Sequence, residues 1–267
     1  MLKERVMGCV WCAMGALGLA SANAVAVEAP VKLTYAECNV VCIQDSPARH
    51  PASLFSTPTG EKPSGAPAFY QSSINVFLVE KGGRRCLIDA GNDPKRGSLE
   101  AQLRRLAIQP AEISDIFITH IHPDHVGGLL WEGKALFPKA TLHIARLEYE
   151  TWQADASRAA LKRYIEPYQA RLDLFDYEKT LPSGLLPVKM SGHTPGHTVF
   201  RLKLSENEEA VFAGDFLHSV ELQVPHPEFC ARYDANPAEA VAVRKKLLQE
   251  KAILFGAHIP FPGYRMP

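Results

Sequence analysis

The sequence predicts an α+β fold in which short buried strands alternate with helices and end in polar side chains. Short apolar runs recur along the chain, among them Ile116-Phe117-Ile118 and the segment 253–255. Several of these runs are followed directly by a histidine or an aspartate. Helix-start signals lie between them, such as Asn236-Pro237-Ala238-Glu239, where an N-cap residue precedes a proline at the first helical position. Layered strands and helices of this kind can bring their polar ends to one edge of the molecule.

The first part of the chain contains strands and one irregular stretch. An extended segment is predicted over 31–44, and two strands over 73–80 and 86–90 flank a glycine turn. The stretch 46–70 is predicted to be a long loop because it contains five prolines, which interrupt helices and central strands. This loop either covers a site or serves as a flexible linker.

Helix and strand signals then alternate to the end of the chain. Ser98 is expected to cap a helix that runs to about Ala107. Residues 146–171 have an apolar stripe at helical spacing, which indicates either core packing or a cap that brings Trp152 and Tyr164 or Tyr168 to a substrate. A later helix runs to about Glu250. Further strands are predicted over 115–119, 141–145, 186–190, 199–204, 210–212 and 252–255.

The densest polar cluster follows the apolar run 116–118. His120 and His122 are two residues apart, so they point to the same side of an extended backbone. Pro123 then bends the chain ahead of Asp124 and His125. Neutral imidazoles and a carboxylate are ligands that suit zinc. The spacing favours a metal site over a polar loop that binds no metal.

Three later strands are each followed by a residue of the same kind. His193 follows the strand over 186–190, Asp215 follows 210–212, and His258 follows 253–255. His143 lies inside a predicted strand and is interpreted as structural. Because strand ends can share one edge of a layered sheet, these side chains are expected to converge on the first cluster.

Composition narrows the possible functions. The chain has 267 residues, enough for one large domain or two small ones, and 29 Lys plus Arg balance 29 Asp plus Glu. A neutral chain has no strong field for a nucleic acid or an anionic membrane, which argues against a nuclease. We expect a small-molecule substrate with an apolar part and no nucleic-acid partner. The oligomeric state, including a homodimer, stays open.

The N-terminal residues read as a secretory signal peptide. Lys3 and Arg5 precede an uncharged, mostly apolar run, and a small-x-small pattern ends at Ala24. We therefore predict cleavage of residues 1–24, a single domain over 25–267 and a periplasmic or secreted protein without membrane insertion. The alternative is a retained membrane anchor, because the uncharged stretch runs on to Val27.

Four cysteines remain after that cleavage, namely Cys38, Cys42, Cys86 and Cys230. In one extended strand Cys38 and Cys42 would lie about 13 Å apart, too far for a disulfide. Cys86 is expected in the core. No pairing is assigned to these cysteines.

Four motifs together resemble the metallo-β-lactamase superfamily. They are Thr-His-Ile-His-Pro-Asp-His at 119–125, Gly-His-Thr-Pro-Gly-His at 192–197, Gly-Asp at 214–215 and Ala-His at 257–258. The resemblance implies a four-layer αββα sandwich with a dinuclear metal site at one edge. It assigns His120, His122 and His193 to one metal, Asp124, His125 and His258 to the other, and Asp215 to both. His197 matches a motif position that is not a ligand.

Within the superfamily, the C-terminal motifs resemble the branch of methyl parathion hydrolase and exported lactonases. They are the stretches 214–218, 243–246 and 256–263. The bridging Asp215 argues against a true β-lactamase, and export argues against a thioesterase of the glyoxalase type. Many lactonases have tyrosine three residues after the bridging aspartate, where this chain has His218.

The resemblance implies an exported hydrolase that cleaves a lactone, a carboxylic ester or a phosphotriester with a metal-bridging hydroxide. Two divalent metal ions are expected, with zinc as the first choice. Asp124 is predicted to pass a proton to the leaving group, and His218 to donate to the oxygen that gains charge. An apolar substrate wall is expected from Phe55, Phe69, Trp152 and Phe216.

Three rival functions remain open. They are an iron-dependent oxygenase or redox protein on the same scaffold, a thioesterase of the glyoxalase type, and a metal-binding protein without catalysis.

Overall fold

The computed structural model describes residues 26–154, 159–177 and 179–267. The predicted signal peptide over 1–24 lies outside these residues. Within the described part of the chain, no helix is both long and apolar enough to cross a membrane.

Among the described residues, the secondary structure consists of strands of two to 14 residues, five α-helices and short 3-10 and π-helical segments. The strands are β1 (Val31–Thr34), β2 (Cys38–Pro51), β3 (Phe55–Ser56), β4 (Phe69–Lys81), β5 (Arg84–Ile88), β6 (Asp115–Ile118), β7 (Leu130–Trp131), β8 (Lys134–Ala135), β9 (Thr141–Ala145), β10 (Leu172–Phe175), β11 (Leu186–Lys189), β12 (Thr198–Lys203), β13 (Glu209–Phe212), β14 (Cys230–Ala231), β15 (Ile253–Phe255) and β16 (Tyr264–Arg265). The helices are α1 (Leu99–Arg105), α2 (Pro123–Val126), α3 (Arg146–Ala154), α4 (Val220–Gln223) and α5 (Pro237–Leu248).

Two larger sheets organise the molecule. The seven-stranded sheet has the order β1-β2-β4-β5-β6-β9-β10, and the five-stranded sheet has the order β11-β12-β13-β15-β16. The first sheet is antiparallel from β1 to β5 and parallel from β5 to β10. In the second sheet β13 and β15 are parallel. The carboxyl ends of neighbouring parallel strands lie at the same edge of a sheet. The polar residues come directly after the strands at this edge.

Alternation along the strands separates three of the four buried apolar clusters of the described residues. In β6, Ile116 and Ile118 pack in the core that contains Leu99 and Leu103 of α1, whereas Phe117 faces the core between the two sheets. In β13, Val211 packs in the core beneath α5. Because side chains alternate sides in a strand, each sheet has one face toward the other sheet and one toward helices. The predicted αββα sandwich is confirmed.

The prediction that 46–70 forms one long loop is wrong at its start. Strand β2 continues through Pro47 to Pro51 and pairs with β4 along this length, with an irregularity between Gln44 and Ser46. On its other side β2 pairs with β1 only as far as Cys42. Proline is tolerated there because, among the described residues, no strand pairs with the outer edge of β2 beyond Cys42, so no ladder bond on that side needs its N–H.

The expected cap of α1 is also corrected. Ser98 makes no side-chain cap, and its hydroxyl donates to the Asp45 carbonyl oxygen at 2.7 Å. The carboxylate of Asp45 accepts instead from the backbone N–H groups of Asn92, Ser98 and Leu99, at 2.8–3.0 Å. A residue distant in sequence therefore holds the N-terminus of this helix and the loop before it.

The segment 146–171 is not one continuous helix. Helix α3 ends at Ala154, a π-helical turn spans Leu161–Ile165, and a 3-10 segment spans Glu166–Arg171. Tyr168 is fully buried, and its hydroxyl donates to the Leu129 carbonyl oxygen at 2.7 Å. The stripe is core packing at this position.

The cysteines and the strand histidine behave as structural residues. Cys38, Cys42, Cys86 and Cys230 are free thiols in buried positions. His143 lies between Asp115 and Asp173, at 2.9 and 2.8 Å.

Candidate metal centre

The candidate ligands lie in the loops that follow strands β6, β11, β13 and β15 and in the short helix α2. The two sheets are joined at this edge, because the N–H of Thr198 at the start of β12 donates to the Thr119 carbonyl oxygen at 2.9 Å. Within the five-stranded sheet, the N–H of Ala257 after β15 donates to the carbonyl oxygen of Gly214 after β13 at 3.1 Å. The first bond thus holds the two sheets together, and the second holds two neighbouring loops of one sheet together.

The first loop turns sharply into α2. Pro123 occupies the first turn of this helix, where a missing N–H is tolerated. Gly128 packs closely against the loop that follows β5. A Cβ atom at this position would lie 2.1 Å from the Ala90 carbonyl oxygen. The Gly-Gly pair is therefore required by the close approach of the neighbouring loop.

The structure brings the predicted ligands together. One group contains His120, His122, His193 and Asp215, and another contains Asp124, His125 and His258; in each group the possible ligand atoms lie within 4.8 Å of one another. Nδ1 of His122 lies 2.8 Å from Nε2 of His120 and 3.0 Å from Nε2 of His193. The imidazole nitrogens thus converge on one small volume.

Asp215 lies between the two groups. Its Oδ1 is 3.0 Å from Nε2 of His125, and its Oδ2 is 3.2 Å from Nε2 of both His193 and His258. Oδ2 is also 3.8 Å from Nε2 of His120. One carboxylate can therefore contact ligands of both groups.

The nitrogen and oxygen atoms of these side chains are better arranged to coordinate two metal ions than to form hydrogen bonds with one another. Nε2 of His125 and Oδ1 of Asp215 are buried and, although close, make no directed hydrogen bond to any described protein atom. Buried polar atoms without a partner are rare, because each loses its hydration. Buried nitrogen and oxygen atoms that lie close together without a hydrogen bond between them can coordinate a shared ion. Imidazole and carboxylate groups are typical zinc ligands.

The charge states of His120, His122 and Asp215 suit coordination, whereas, against the opposing effect of burial, the Asp215 carboxylate raises the pKa of three other candidate ligands, His125, His193 and His258. Burial lowers the pKa of His122 to about 3, and the nearby His193 adds to the effect. Burial likewise lowers the pKa of His120 well below its usual value. Burial alone would raise the pKa of Asp215, but His258, His125 and His193 hold it well below its usual range. His120 and His122 are therefore neutral and Asp215 is ionised at neutral pH, the forms that bind metal.

The outward-facing nitrogens of three ligands have fixed partners. Nδ1 of His125 lies 2.8 Å from Asp89, and Nδ1 of His193 lies 2.9 Å from Asp234. Nδ1 of His258 donates to the Ser73 carbonyl oxygen at 2.9 Å. Such partners orient an imidazole and direct its Nε2 lone pair inward.

Sequence reasoning assigned no role to Asp89 or Asp234. Asp89 follows an apolar strand, the same signal that marked the ligands, and it has a left-handed φ of 59°. Asp234 had no comparable signal, because it lies in an irregular loop far from His193 along the chain.

His218 reaches the same volume from the loop after β13. Its ring is fully buried and stacks on that of His258, with 5.0 Å between centroids. Nε2 is 3.2 Å from Oδ2 of Asp215, and neither ring nitrogen makes a directed hydrogen bond to a described protein atom. The ring therefore makes no hydrogen bond to the backbone of the described residues.

His50 is a further neighbour that sequence reasoning missed, because it falls in the predicted loop over 46–70. Its ring centroid lies 5.6 Å from that of His218 and 5.3 Å from that of His258. Burial lowers the pKa of His50 to about 3, and His258 and His218 add to this effect. A neutral imidazole therefore borders the candidate centre.

Asp124 and His197 occupy different positions in the site. Oδ2 of Asp124 lies 3.4 Å from Nε2 of His258, and its side chain keeps 31% exposure, so it can meet both an ion and a substrate. His197 accepts the Asp215 backbone N–H at Nε2, at 3.2 Å, and its Nδ1 donates to the Met190 carbonyl oxygen. His197 thus supports the backbone at Asp215.

The predicted apolar wall is wrong for two of its members. Phe55 and Phe216 pack in the core, with 0% and 3% exposure. Trp152 is also buried, although its ring centroid lies 5.7 Å from that of His122. Phe69 is 48% exposed, beneath the guanidinium of Arg49.

The profile of the metallo-beta-lactamase superfamily matches residues 70–258. The chain belongs to this superfamily of metal-dependent hydrolases. An N-acyl homoserine lactonase, AttM of Azorhizobium caulinodans, is 26% identical over 193 residues, which are 59% of this chain and 70% of that protein. For Ribonuclease Z of Nanoarchaeum equitans, 40% identical over 128 residues, the aligned share is only 34% of that protein. Relatives of this chain therefore differ in activity.

Two solved structures are similar over nearly their whole length. Hydrolase AbOPH of the beta-lactamase superfamily has a TM-score of 0.80 and 29% identity, and the match covers 90% of this chain and 94% of AbOPH. AidC, a dizinc quorum-quenching lactonase in complex with a product, has a TM-score of 0.78 and 28% identity, and the match covers 89% of this chain and 93% of AidC.

Proposed function

We propose that this chain is a two-zinc hydrolase that opens lactones and cleaves related esters of small, partly apolar molecules. The observation that carries the proposal is the position of Asp215, whose two oxygens face the histidines of both groups. A shared carboxylate of this kind suits two adjacent ions. The likeness to a dizinc lactonase over most of both chains supports the substrate class.

When bound, two zinc ions would supply a hydroxide nucleophile at neutral pH and polarise the substrate oxygen that gains charge. The protein's own part is to keep His120 and His122 neutral and inward-facing, which burial achieves. Asp124 is a candidate ligand that keeps an exposed face, so as a carboxylate it would accept the proton of the O–H that adds to the substrate carbonyl and return it to the departing alkoxide. The imidazole of His218 donates to the oxygen that becomes negative.

A hydrolysis panel on zinc-loaded protein tests the proposal. It contains N-acyl homoserine lactones of several chain lengths, aryl esters, thioesters and phosphotriesters. We expect the lactones and esters to turn over, and a chelator to abolish this activity until zinc is restored. Selective thioester cleavage would favour a glyoxalase-type enzyme instead.

Phosphotriesters belong in the panel because this chain has His218 at the position where many lactonases have tyrosine. Metal analysis of protein purified from its native host separates zinc from iron. Iron together with oxygen consumption would favour an oxygenase, and metal binding without any hydrolysis would favour a non-catalytic metal-binding protein.

Export is part of the proposal and rests on the sequence of residues 1–24. The periplasm is the proposed compartment, with a diffusible small molecule as the substrate.

A further inference from the structure

A buried carboxylate outside the candidate ligand groups contacts both loops that carry histidines of the first group. Glu148 lies in α3 and has 0% exposure. Its Oε1 accepts the Ile121 N–H at 3.0 Å and the Trp152 indole N–H at 2.7 Å. Its Oε2 accepts the Thr194 hydroxyl at 2.7 Å and the Gly196 N–H at 3.1 Å. All four partners are donors, which suits an acceptor-only carboxylate.

Two of these donors are next to candidate ligands in the chain. Ile121 lies between His120 and His122, and Thr194 directly follows His193. The Glu148 side chain is therefore a direct link between loops that are more than 70 residues apart, as the numbering of Ile121 and Thr194 shows.

The second loop also touches the backbone of α3. A Cβ on Gly196 would lie 2.3 Å from the backbone nitrogen of Glu148 and 2.5 Å from its Cα. Only glycine permits this approach, so the loop and the helix are pressed together at the carboxylate.

We propose that Glu148 is a positioning residue of the metal centre, which sets the spacing of His120, His122 and His193 around one ion. The proposal rests on the proposed metal pair. It does not extend to the second group, because His125 and His258 are oriented by Asp89 and by the Ser73 carbonyl oxygen.

The chemistry of an amide makes the proposal specific. Glu148→Gln keeps the shape of the side chain and replaces one acceptor oxygen with an NH₂ group. If this NH₂ faces Ile121 and Trp152, two N–H donors lose their acceptor. If it faces the other loop, the Thr194 hydroxyl can turn and accept, and only the Gly196 N–H is left without one. The second orientation is favoured, so the loop with His193 loosens most.

The test measures metal ions per chain, by elemental analysis, after dialysis of zinc-loaded protein against graded concentrations of chelator. Glu150→Gln is the matched control, because Glu150 is an exposed residue of the same helix. We expect wild type and Glu150→Gln to release both ions at high chelator concentrations. Glu148→Gln should release one ion at a chelator concentration about tenfold lower than wild type requires, and should keep the other ion at that concentration.

The outcomes separate the two proposals. Wild-type protein that retains no zinc would reject the proposed function itself. Wild-type protein with two ions, together with an unchanged release curve for Glu148→Gln, would reject only the positioning role. Equal weakening of both ions would also reject it, because a general loss of fold stability affects both groups.

A second pair of variants decides the question if Glu148→Gln does not fold. Thr194→Val removes one donor to Glu148 at nearly constant shape, and Thr194→Ser keeps the hydroxyl. We expect Thr194→Val to release one ion early and Thr194→Ser to match wild type. Identical release curves for these two variants would overturn the inference.

Discussion

Nε2 of His218 lies 3.2 Å from Oδ2 of Asp215, in a position where both ring nitrogens lack a directed hydrogen bond to the described protein atoms. This geometry leaves an N–H available at the candidate metal centre. We predict that His218→Ala lowers the turnover number roughly a hundredfold, because one well-placed donor to a developing oxyanion contributes on the order of 3 kcal/mol. Both metals should be retained.

The tyrosine variant is the matched control for that prediction. His218→Tyr should restore part of the activity toward lactones, because the phenol O–H can donate to the same oxygen. Turnover numbers and metal content are measured on the best substrate. Full turnover of His218→Ala would assign the histidine a structural role.

Asp215→Ala is predicted to reduce metal content more than His197→Ala does. Asp215 faces histidines of both groups, whereas His197 only supports its backbone. Elemental analysis should show fewer than two ions per chain in Asp215→Ala and a smaller loss in His197→Ala. Wild-type metal content in Asp215→Ala would contradict the shared position of this carboxylate.

Trp152→Ala is predicted to act mainly on stability. Trp152 packs in the core outside the seven-stranded sheet and donates to Glu148. We expect the free energy of unfolding to fall by about 3–5 kcal/mol, as for other buried aromatic truncations. Activity should fall equally on short-chain and long-chain substrates, measured beside chemical denaturation. A selective loss on long chains would instead place the indole in a substrate wall.

Asp45→Ala should destabilise the loop before α1. Three backbone N–H groups lose their acceptor, and a buried unpaired donor costs roughly 1–3 kcal/mol. We expect a loss of about 3 kcal/mol or more in urea denaturation. Asp176→Ala is the control, because that side chain is 75% exposed. Equal stability of the two variants would show that water replaces the Asp45 carboxylate.

Export is predicted to leave Val25 at the N-terminus. Cleavage after Ala24 removes Lys3, Arg5 and the apolar run that follows them. Mass spectrometry of protein from the periplasmic fraction gives the mass of the mature chain. Intact protein that begins at Met1 and sediments with membranes would support the anchor alternative.

The sequence by itself determined the strand pattern and the residues at the strand ends. His120, His193, Asp215 and His258 each follow a short apolar run, and the order of the motifs resembled a known superfamily. These features are local, because a strand and the loop after it are read from adjacent residues. The strand ends and the polar residues that follow them were therefore predictable from the residues alone, whereas the two-sheet sandwich and the grouping of the ligands were implied by the resemblance to the superfamily.

Only the tertiary structure decided which residues support that set. Asp45, Glu148 and Asp234 act on loops that lie 27 to 53 residues away in the chain, where no periodicity or spacing connects the partners. The burial of Phe55 and Phe216 could not be predicted from the sequence either. An aromatic residue beside a site and one in the core have the same local sequence signal. Long-range packing settles such questions, since it depends on which surfaces the whole chain brings together.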